Sequence, residues 1–299
     1  MKRTVTVLLI IVLAALLIGA GLMVGALASV GFDPSRLGGT VTERTYTPDT
    51  PVFELEIDVQ LSDVIVRPST DGTLRVEVRE NERLPLTFYL TDGKLAVRQE
   101  GTDTRPWYER LFTSRGLSVT VYLPQHTSYE GIVVRSRSGD VTVEDVDSTA
   151  VSVQTTSGDL TLRRITCGLL GAITTSGEIT LCDAQATAVA LQTTSGDIEA
   201  QRVSAAGAVA RVTSGDVELT DVVVRGELEV RTVSGDVELL RCDGDTVEIQ
   251  TTSGDIEGTL LTPKSFDADT TSGDIRVPST TGGRCYLRTT SGDIVIRIE

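Results

Sequence analysis

A Ser-Gly-(Asp/Glu) tripeptide recurs nine times between residues 138 and 293 of this chain, with its glycine at Gly139, Gly158, Gly177, Gly196, Gly215, Gly235, Gly254, Gly273 and Gly292. Seven of the eight intervals are 19 residues and one is 20. Repetition at a fixed period constrains the fold more than any other feature here. Each unit is too small to bury an apolar face alone and must stack on its neighbours.

Counting from the glycine as position zero, positions two and four are apolar, as in Val141 and Val143, Leu160 and Leu162, Val217 and Leu219, Val237 and Leu239. Position seven is apolar or small: Val146, Ile165, Ala184, Val203, Val222, Cys242 and Leu261. Positions twelve and fourteen repeat the habit in Val151 and Val153, Val189 and Leu191, Val247 and Ile249, Phe266 and Ala268. Alternation with period two predicts half-buried strands, two short ones per repeat. The tripeptide reads as the tight turn that opens a strand, since Gly permits positive φ and Asp can bond nearby backbone. Stacked units place like positions about 4.8 Å apart in parallel sheets, and parallel crossovers nearly always coil right-handed. The predicted fold is all-β, a parallel right-handed β-solenoid of about nine rungs. Its nine glycines should form one column of eight steps, about 38 Å long.

Other repeat folds fit less well. A nonapeptide calcium-binding β-helix needs a G-G-x-G-x-D pattern, which is absent, and propeller blades repeat at about 40 residues. Threonine-rich ice-binding solenoids present Thr-x-Thr on one face. Here Thr155-Thr156, Thr193-Thr194 and Thr251-Thr252 are adjacent, so one of each pair must point inward. Position six alternates in sign through Asp145, Arg164, Asp183, Arg202, Asp221 and Arg241. Strand propensity does not require this, so these side chains are expected to form one column that fixes register. At the far end Ile294, Ile296 and Ile298 form a last half-rung with no capping element after it. Its removal is expected to expose Val277 and Leu287.

The pattern continues upstream in weaker form. Ile132, Val134 and Ser136 match positions twelve, fourteen and sixteen; Phe53, Leu55 and Ile57 alternate; Leu61-Ser62-Asp63-Val64 imitates the strand-opening turn. Leu74–Val78, Leu86–Leu90, Leu95–Val97 and Val119–Leu123 read as further strands. Residues 50–138 are therefore expected to form a β-rich capping section ahead of the repeats over 139–299, since bare sheet ends aggregate.

The T-T-S-G-D-[IV] repeat, as in Thr252-Ser253-Gly254-Asp255-Ile256, resembles that of bacterial envelope proteins grouped as candidate adhesins with β-strand repeats. Some of those relatives take part in Lia-type envelope-stress signalling. The resemblance covers about residues 50–299 and implies a membrane-anchored envelope protein that serves adhesion or stress sensing. It brings no catalytic residues with it.

No charged residue falls between Thr4 and Phe32, and Val5–Leu27 is almost wholly apolar. A bilayer takes roughly 20 apolar residues to cross. Lys2 and Arg3 precede the run and Asp33 follows it, which keeps the N-terminus cytoplasmic and exports the rest. Residues 1–32 thus read as a cytoplasmic stub and transmembrane helix, and 33–49 as a linker. Ala26-Leu27-Ala28 resembles a signal-peptide cleavage site, but signal h-regions usually run about 7–15 residues, which favours an uncleaved anchor. Gly21 and Gly25 form a small-xxx-small pair that supports helix dimerisation in some membrane proteins. The net charge of −15 argues against a nucleic-acid partner, which needs a basic footprint.

Chemistry-bearing residues are few, and no cofactor is implied. The only histidine, His126, lies in a predicted turn and reads as a solvated loop residue. Cys242 and Cys285 fall at core positions two rungs apart, beyond disulfide reach. Cys167 and Cys182 occupy turn-like positions of adjacent rungs, where pairing stays open. Residues 105–116 break the strand pattern with Trp107, Tyr108 and Phe112 among three arginines. Two readings stand: a loop that touches headgroups or a partner, or one whose aromatics cap the core.

One outer face stands out. Position one is Asp in eight of nine repeats, and in four consecutive repeats position three is Glu. The pairs Asp197 and Glu199, Asp216 and Glu218, Asp236 and Glu238, Asp255 and Glu257 would make a grid two wide and four deep. Neighbours about 4.8 Å apart repel by about 0.9 kcal/mol even in water. Either the Asp side chains are occupied by turn hydrogen bonds, leaving a tolerated Glu stripe, or the face collects Ca²⁺ or a cationic envelope peptide. Three function classes follow: a non-catalytic binding or sensing scaffold, a purely structural envelope spacer, and, most distantly, a polysaccharide-active β-helix enzyme. Aromatics make up only 4% of the chain, which leaves few sugar-stacking side chains for the last.

Overall fold

A computed structural model describes residues 21, 25, 41–82, 84–100 and 116–299. The apolar run over 5–27, apart from Gly21 and Gly25, and Trp107, Tyr108 and Phe112 lie outside the described residues. Among the described residues no helix is long and apolar enough to cross a membrane.

The strands form one continuous hydrogen-bonded sheet that coils on itself. The N-terminal part holds β1 (Val41–Tyr46), β2 (Glu54–Val59), β3 (Asp63–Pro68), β4 (Arg75–Asn81), β5 (Leu86–Thr91), β6 (Lys94–Gln99), β7 (Ser118–Leu123), β8 (Ser128–Tyr129) and β9 (Gly131–Ser136). The repeats begin with four long strands that bend around the corners: β10 (Val141–Gln154), β11 (Leu160–Ile173), β12 (Ile179–Ser195) and β13 (Ile198–Ser214). Shorter strands follow: β14 (Val217–Val224), β15 (Glu227–Arg231), β16 (Val237–Cys242), β17 (Thr246–Gln250), β18 (Ile256–Leu260), β19 (Lys264–Ser272), β20 (Ile275–Arg276), β21 (Gly283–Ser291) and β22 (Ile294–Ile298).

The repeats pair in parallel and in register, Val141 on Leu160, on Ile179, on Ile198, on Val217 and on Val237. Every member of this column is at most 1% exposed. Fully burying such a side chain contributes about 1.5–3 kcal/mol, so the column is a main source of stability. The long strands carry a third paired segment per rung, at positions seven to nine, beyond the two the alternation predicts. Its inner column runs through Tyr129, Ser148, Cys167, Ala186, Ala205 and Val224. The sequence hid this segment because its residues are small and mixed in polarity.

Each repeat glycine stands where no side chain fits. A Cβ on Gly235 would lie 1.9 Å from the carbonyl oxygen of Gly215, and the φ of +153° disfavours L side chains. Three residues before the glycine, the inner threonine donates to the carbonyl of the preceding rung's glycine, as Thr193 Oγ1 does to Gly177 O at 3.2 Å and Thr251 Oγ1 to Gly235 O at 3.2 Å. Thr193 is 2% exposed and Thr251 6%, whereas Thr194 and Thr252 face solvent. The doubled threonine therefore has one member inward, its hydroxyl satisfied within the core.

Position six forms the expected column, with a feature the charges did not show. Asp145, Arg164, Asp183, Arg202, Asp221 and Arg241 all have φ between 53° and 59°. Each turns the chain between two faces in the left-handed region, at about 1–2 kcal/mol for an L residue. Arg164 Nε bonds Asp145 Oδ1 at 2.5 Å and Arg202 Nε bonds Asp183 Oδ1 at 2.5 Å; Arg241 pairs with Asp221 through Nε and a terminal nitrogen. The charges close into three discrete pairs.

The order of rungs departs from sequence order at both ends. β18 pairs with β22, Ile256 on Ile294, and β22 then pairs with β20, Ile275 on Ile294. On the next face β17 pairs with β21 and β21 with β19. The last rung is thus inserted between the two before it. This corrects two expectations: the glycine column ends Gly254, Gly292, Gly273, and Ile294 and Ile296 are buried at 0% and 2%, with Ile275 at the rim and 42% exposed. Insertion buries the more apolar unit (Cys285, Leu287, Ile294 and Ile296) and leaves as the edge a rung whose strand β20 has two residues, flanked by Asp267, Asp269 and Asp274. Short, charged edges resist aggregation. The other end mirrors this: β7 pairs with β3 and β3 with β10, while β6 pairs with β2 and β2 with β9, so the β2–β3 rung sits inside the β6–β7 rung. Antiparallel β4 and β1 extend one face, and β5 extends the other.

Two smaller corrections concern single residues. Leu260, not Leu261, fills position seven of its rung; it is 0% exposed and Leu261 39%, because a register shift near Leu239 and Cys242 shortens the rung by one residue. Phe53 is 50% exposed although it alternates with Leu55 and Ile57, since Val52 turns inward in its place.

Candidate functional site

Ser62-Asp63-Val64 stacks beneath the first repeat turn, and from there a column of carboxylates runs the length of the solenoid. Asp63 Oδ1 accepts the backbone N–H of Asp140 at 3.1 Å, Asp140 that of Asp159 at 2.9 Å, and Asp159 that of Glu178 at 2.9 Å. The ladder resumes with Asp197 accepting from Asp216 at 2.8 Å, Asp216 from Asp236 at 2.7 Å, Asp236 from Asp255 at 2.8 Å and Asp255 from Asp293 at 2.7 Å. Position one is therefore tied rung to rung, not within its own turn. One carboxylate oxygen of each satisfies a backbone donor that the turn would otherwise leave unpaired, a charge-assisted bond stronger than a neutral one.

Position three differs. Glu199, Glu218, Glu238 and Glu257 pair directly, each over the next, and all four are exposed. Among the described residues none of them makes an ion pair or a side-chain hydrogen bond. The Glu218 carboxyl is pushed above its ordinary value by partial desolvation and by Glu238, Glu199, Asp197 and Asp216 around it. The eight residues of the grid do share one face. They lie in columns without converging: among the described residues no three His, Cys, Asp or Glu side chains are placed to hold a metal ion.

Two other outer columns are neutralised. Beyond the position-six pairs, Arg211 bonds Glu229 Oε1 at 2.8 Å, while Arg231 reaches Glu229 at 3.2 Å and Glu248 at 3.0 Å. These arginines belong to a column that sequence reasoning did not single out: Gln192, Arg211, Arg231, Gln250, Arg288 and Asp269 stack in that order. A shallow groove of about 530 Å³ follows it, walled on the other side by exposed Thr213, Thr252 and Thr290. Position fifteen carried the signal, but Ile173 and Gln154 in the earlier repeats diluted it, and the 20-residue interval shifts Arg231 to position sixteen of its own repeat.

The remaining candidates stay apart from this face. His126 is exposed in a left-handed turn at φ 59°. All four cysteines are free. Burial pushes the thiols of Cys167 and Cys242 up to about 11 and that of Cys285 to about 12, which leaves them protonated and unreactive at neutral pH.

No curated protein sequence matches the chain. Among solved structures it is similar to a candidate adhesin of Bacteroides fragilis, with 15% identity over 86% of this chain and 97% of the other, at a TM-score of 0.42. A candidate adhesin of Parabacteroides merdae shows 14% identity over 87% and 97%, at 0.44. A candidate lipid-binding protein of Parabacteroides distasonis shows 12% over 87% and 98%, at 0.43. The profile of one family matches residues 52–260 and again 241–299, which takes in the inner cap rungs and all nine repeats: the chain belongs to the Toastrack DUF4097 family.

Proposed function

We propose that this chain is a non-catalytic binding scaffold of the cell envelope, tethered by its N-terminal apolar run, whose Glu199–Glu257 column docks a cationic partner. One contrast carries the reading. The solenoid neutralises its position-six charges in pairs and Arg211 and Arg231 with glutamates, yet leaves four stacked glutamates without a cation. Such a stripe attracts polycations at long range. Its columns suit an extended basic peptide better than a point ion, since the carboxylates do not converge. The first described strand, β1 (Val41–Tyr46), belongs to the cap, which supports a tether that holds the cap toward the membrane and the β19–β20 rim away from it.

Calorimetric titration of the full-length protein in detergent with an oligolysine peptide tests this. The native chain is expected to bind, with affinity falling as salt rises. The variant with Glu199, Glu218, Glu238 and Glu257 changed to Gln is expected to bind at least tenfold more weakly. Equal binding by both proteins, or by neither, would leave a structural spacer as the better account.

A further inference from the structure

We propose that the groove along Arg211, Arg231 and Arg288 is a second binding site, for an extended anionic polymer bearing carboxylate or phosphate groups along its length. It lies on a different column from the glutamates and takes ligands of the opposite sign. Each wall is a column of in-register neighbours, and the groove runs open along six rungs. An elongated ligand fits such a shape better than a compact one. Its floor offers no free hydroxyl: Thr193, Thr232, Thr251 and Thr289 donate inward to glycine carbonyls at 3.1–3.4 Å. Donors to a ligand must come from the walls.

The wall is built to present them. The Arg211 and Arg231 side chains are 49% and 46% exposed, while Glu229 and Glu248, which hold them, are only 13% and 23% exposed. The carboxylates anchor from beneath and the guanidinium groups face out. Arg288 is held differently, by Asp267 Oδ1 at 3.0 Å and by the Asp267 carbonyl at 2.9 Å, with the Asp267 side chain 58% exposed and the arginine 38%. A guanidinium has five N–H donors in a planar fork, so each arginine keeps donors for a carboxylate or phosphate, the groups this fork matches. Asp269 is the one acid in the lining, while Glu229, Glu248 and Asp267 pair with the three arginines from outside it, so recognition rests on the unused guanidinium donors and not on net charge. Rung inversion completes the wall: only with β21 stacked on β17 does Arg288 stand next to Gln250.

The test uses fluorescence anisotropy on the full-length protein in detergent, with labelled polygalacturonate as the carboxylate polymer, polyphosphate as the phosphate polymer and dextran as the neutral one. At least one anionic polymer is expected to bind and dextran is not; the stronger of the two identifies the anionic group. Arg211→Gln with Arg231→Gln is expected to weaken binding at least tenfold, and Arg276→Gln, on the rim rung, to leave it unchanged. Arg211→Lys with Arg231→Lys keeps the charge and should fold even if the Gln pair does not; an intermediate loss is expected from it. The four-Glu variant above should retain binding, which separates this site from the cationic-partner face. Binding of dextran, no binding of either polyanion, or undiminished binding by folded Gln and Lys variants would overturn the proposal.

Discussion

Lys264 on the rim rung reaches across Gly283 of the inserted rung to place its Nζ 2.5 Å from Asp243 Oδ1. The lysine side chain is 4% exposed and the aspartate 14%. Asp243 Oδ1 also accepts the Gly244 N–H and the Thr262 hydroxyl, both at 2.9 Å. A Cβ on Gly283 would lie 3.2 Å from Lys264 Nζ and 2.7 Å from Asp245 O, so glycine leaves room for the crossing. The pair pins three successive layers of the C-terminal end together.

Removing one partner of a buried pair costs about 3–5 kcal/mol, because the other charge is left stranded. Lys264→Met is therefore expected to lower stability by about 3 kcal/mol in urea unfolding, and adding Asp243→Asn should restore at least half of the loss. A single variant within about 0.5 kcal/mol of the native chain, the usual range for a surface substitution, would remove the pin from the account.

The glycine column gives a sharper contrast. Gly196→Ala would put a Cβ 2.1 Å from Gly177 O at a φ of +139°, whereas Gly171→Ala meets nothing within 4 Å. The first is expected to cost more than about 4 kcal/mol, in the range reserved for steric or backbone lesions. The second should change stability by less than about 0.5 kcal/mol. Thermal unfolding followed by circular dichroism reads both.

At position six, backbone and charge separate. Arg202→Gly relieves the left-handed conformation but loses the Asp183 pair, and the two effects nearly cancel, since exposed pairs contribute about 0.2–1 kcal/mol. Arg202→Val loses the pair and adds a β-branched residue at positive φ. Melting temperatures are expected to rank native and Gly variants together, with the Val variant clearly lower.

The two acidic columns titrate with opposite sign. Hydrogen bonds from Arg164, Arg202 and Arg241 hold Asp145, Asp183 and Asp221 below the ordinary value. Their contribution is present above the unfolded value of about 3.9 and is lost as pH falls through the lower folded values. Glu218 is raised, so its ionisation works against folding; that penalty is absent below the unfolded value of about 4.3 and sets in as pH rises through the folded value. Stability is expected to rise slightly as pH falls through the Glu218 folded value toward about 4.3, and to fall once pH drops below about 3.9. Glu218→Gln should flatten the first limb and leave the second, as urea midpoints across pH will show.

Much of this architecture was legible because column identity is written at fixed offsets. Val141 through Ile256 alternate at period two, and Asp145 through Arg241 alternate in sign; both survive translation into three dimensions. The order of the last two rungs was not legible, for a physical reason. Ile275 stacks on Ile294, and Phe266 on Cys285, whichever rung lies outermost, so local pairing preference is silent. The choice rests on which unit buries more apolar surface and on the Lys264–Asp243 reach. The left-handed corners were hidden likewise, since Asp and Arg at position six read first as charges. The two acidic columns were legible at fixed offsets, but the inter-rung bonds of the Asp column emerge only once the backbone N–H of the next turn is in position.

The inverted rung order underlies both the closed C-terminal end and the completed arginine wall, and one crosslink tests it. In a background with Cys167, Cys182 and Cys242 changed to Ala, Val247→Cys faces native Cys285, its in-register neighbour. In-register parallel neighbours lie about 4.8 Å apart, within disulfide reach. Mild oxidation is expected to join Val247→Cys to Cys285, read as a linked pair of peptides by mass spectrometry. The companion with Val247→Cys, Phe266→Cys and Cys285→Ala should stay reduced, its two thiols lying two rungs apart. The reverse outcome, oxidation of the 247–266 pair with Cys285 left free, would mean that the rungs stack in sequence order and would contradict the account.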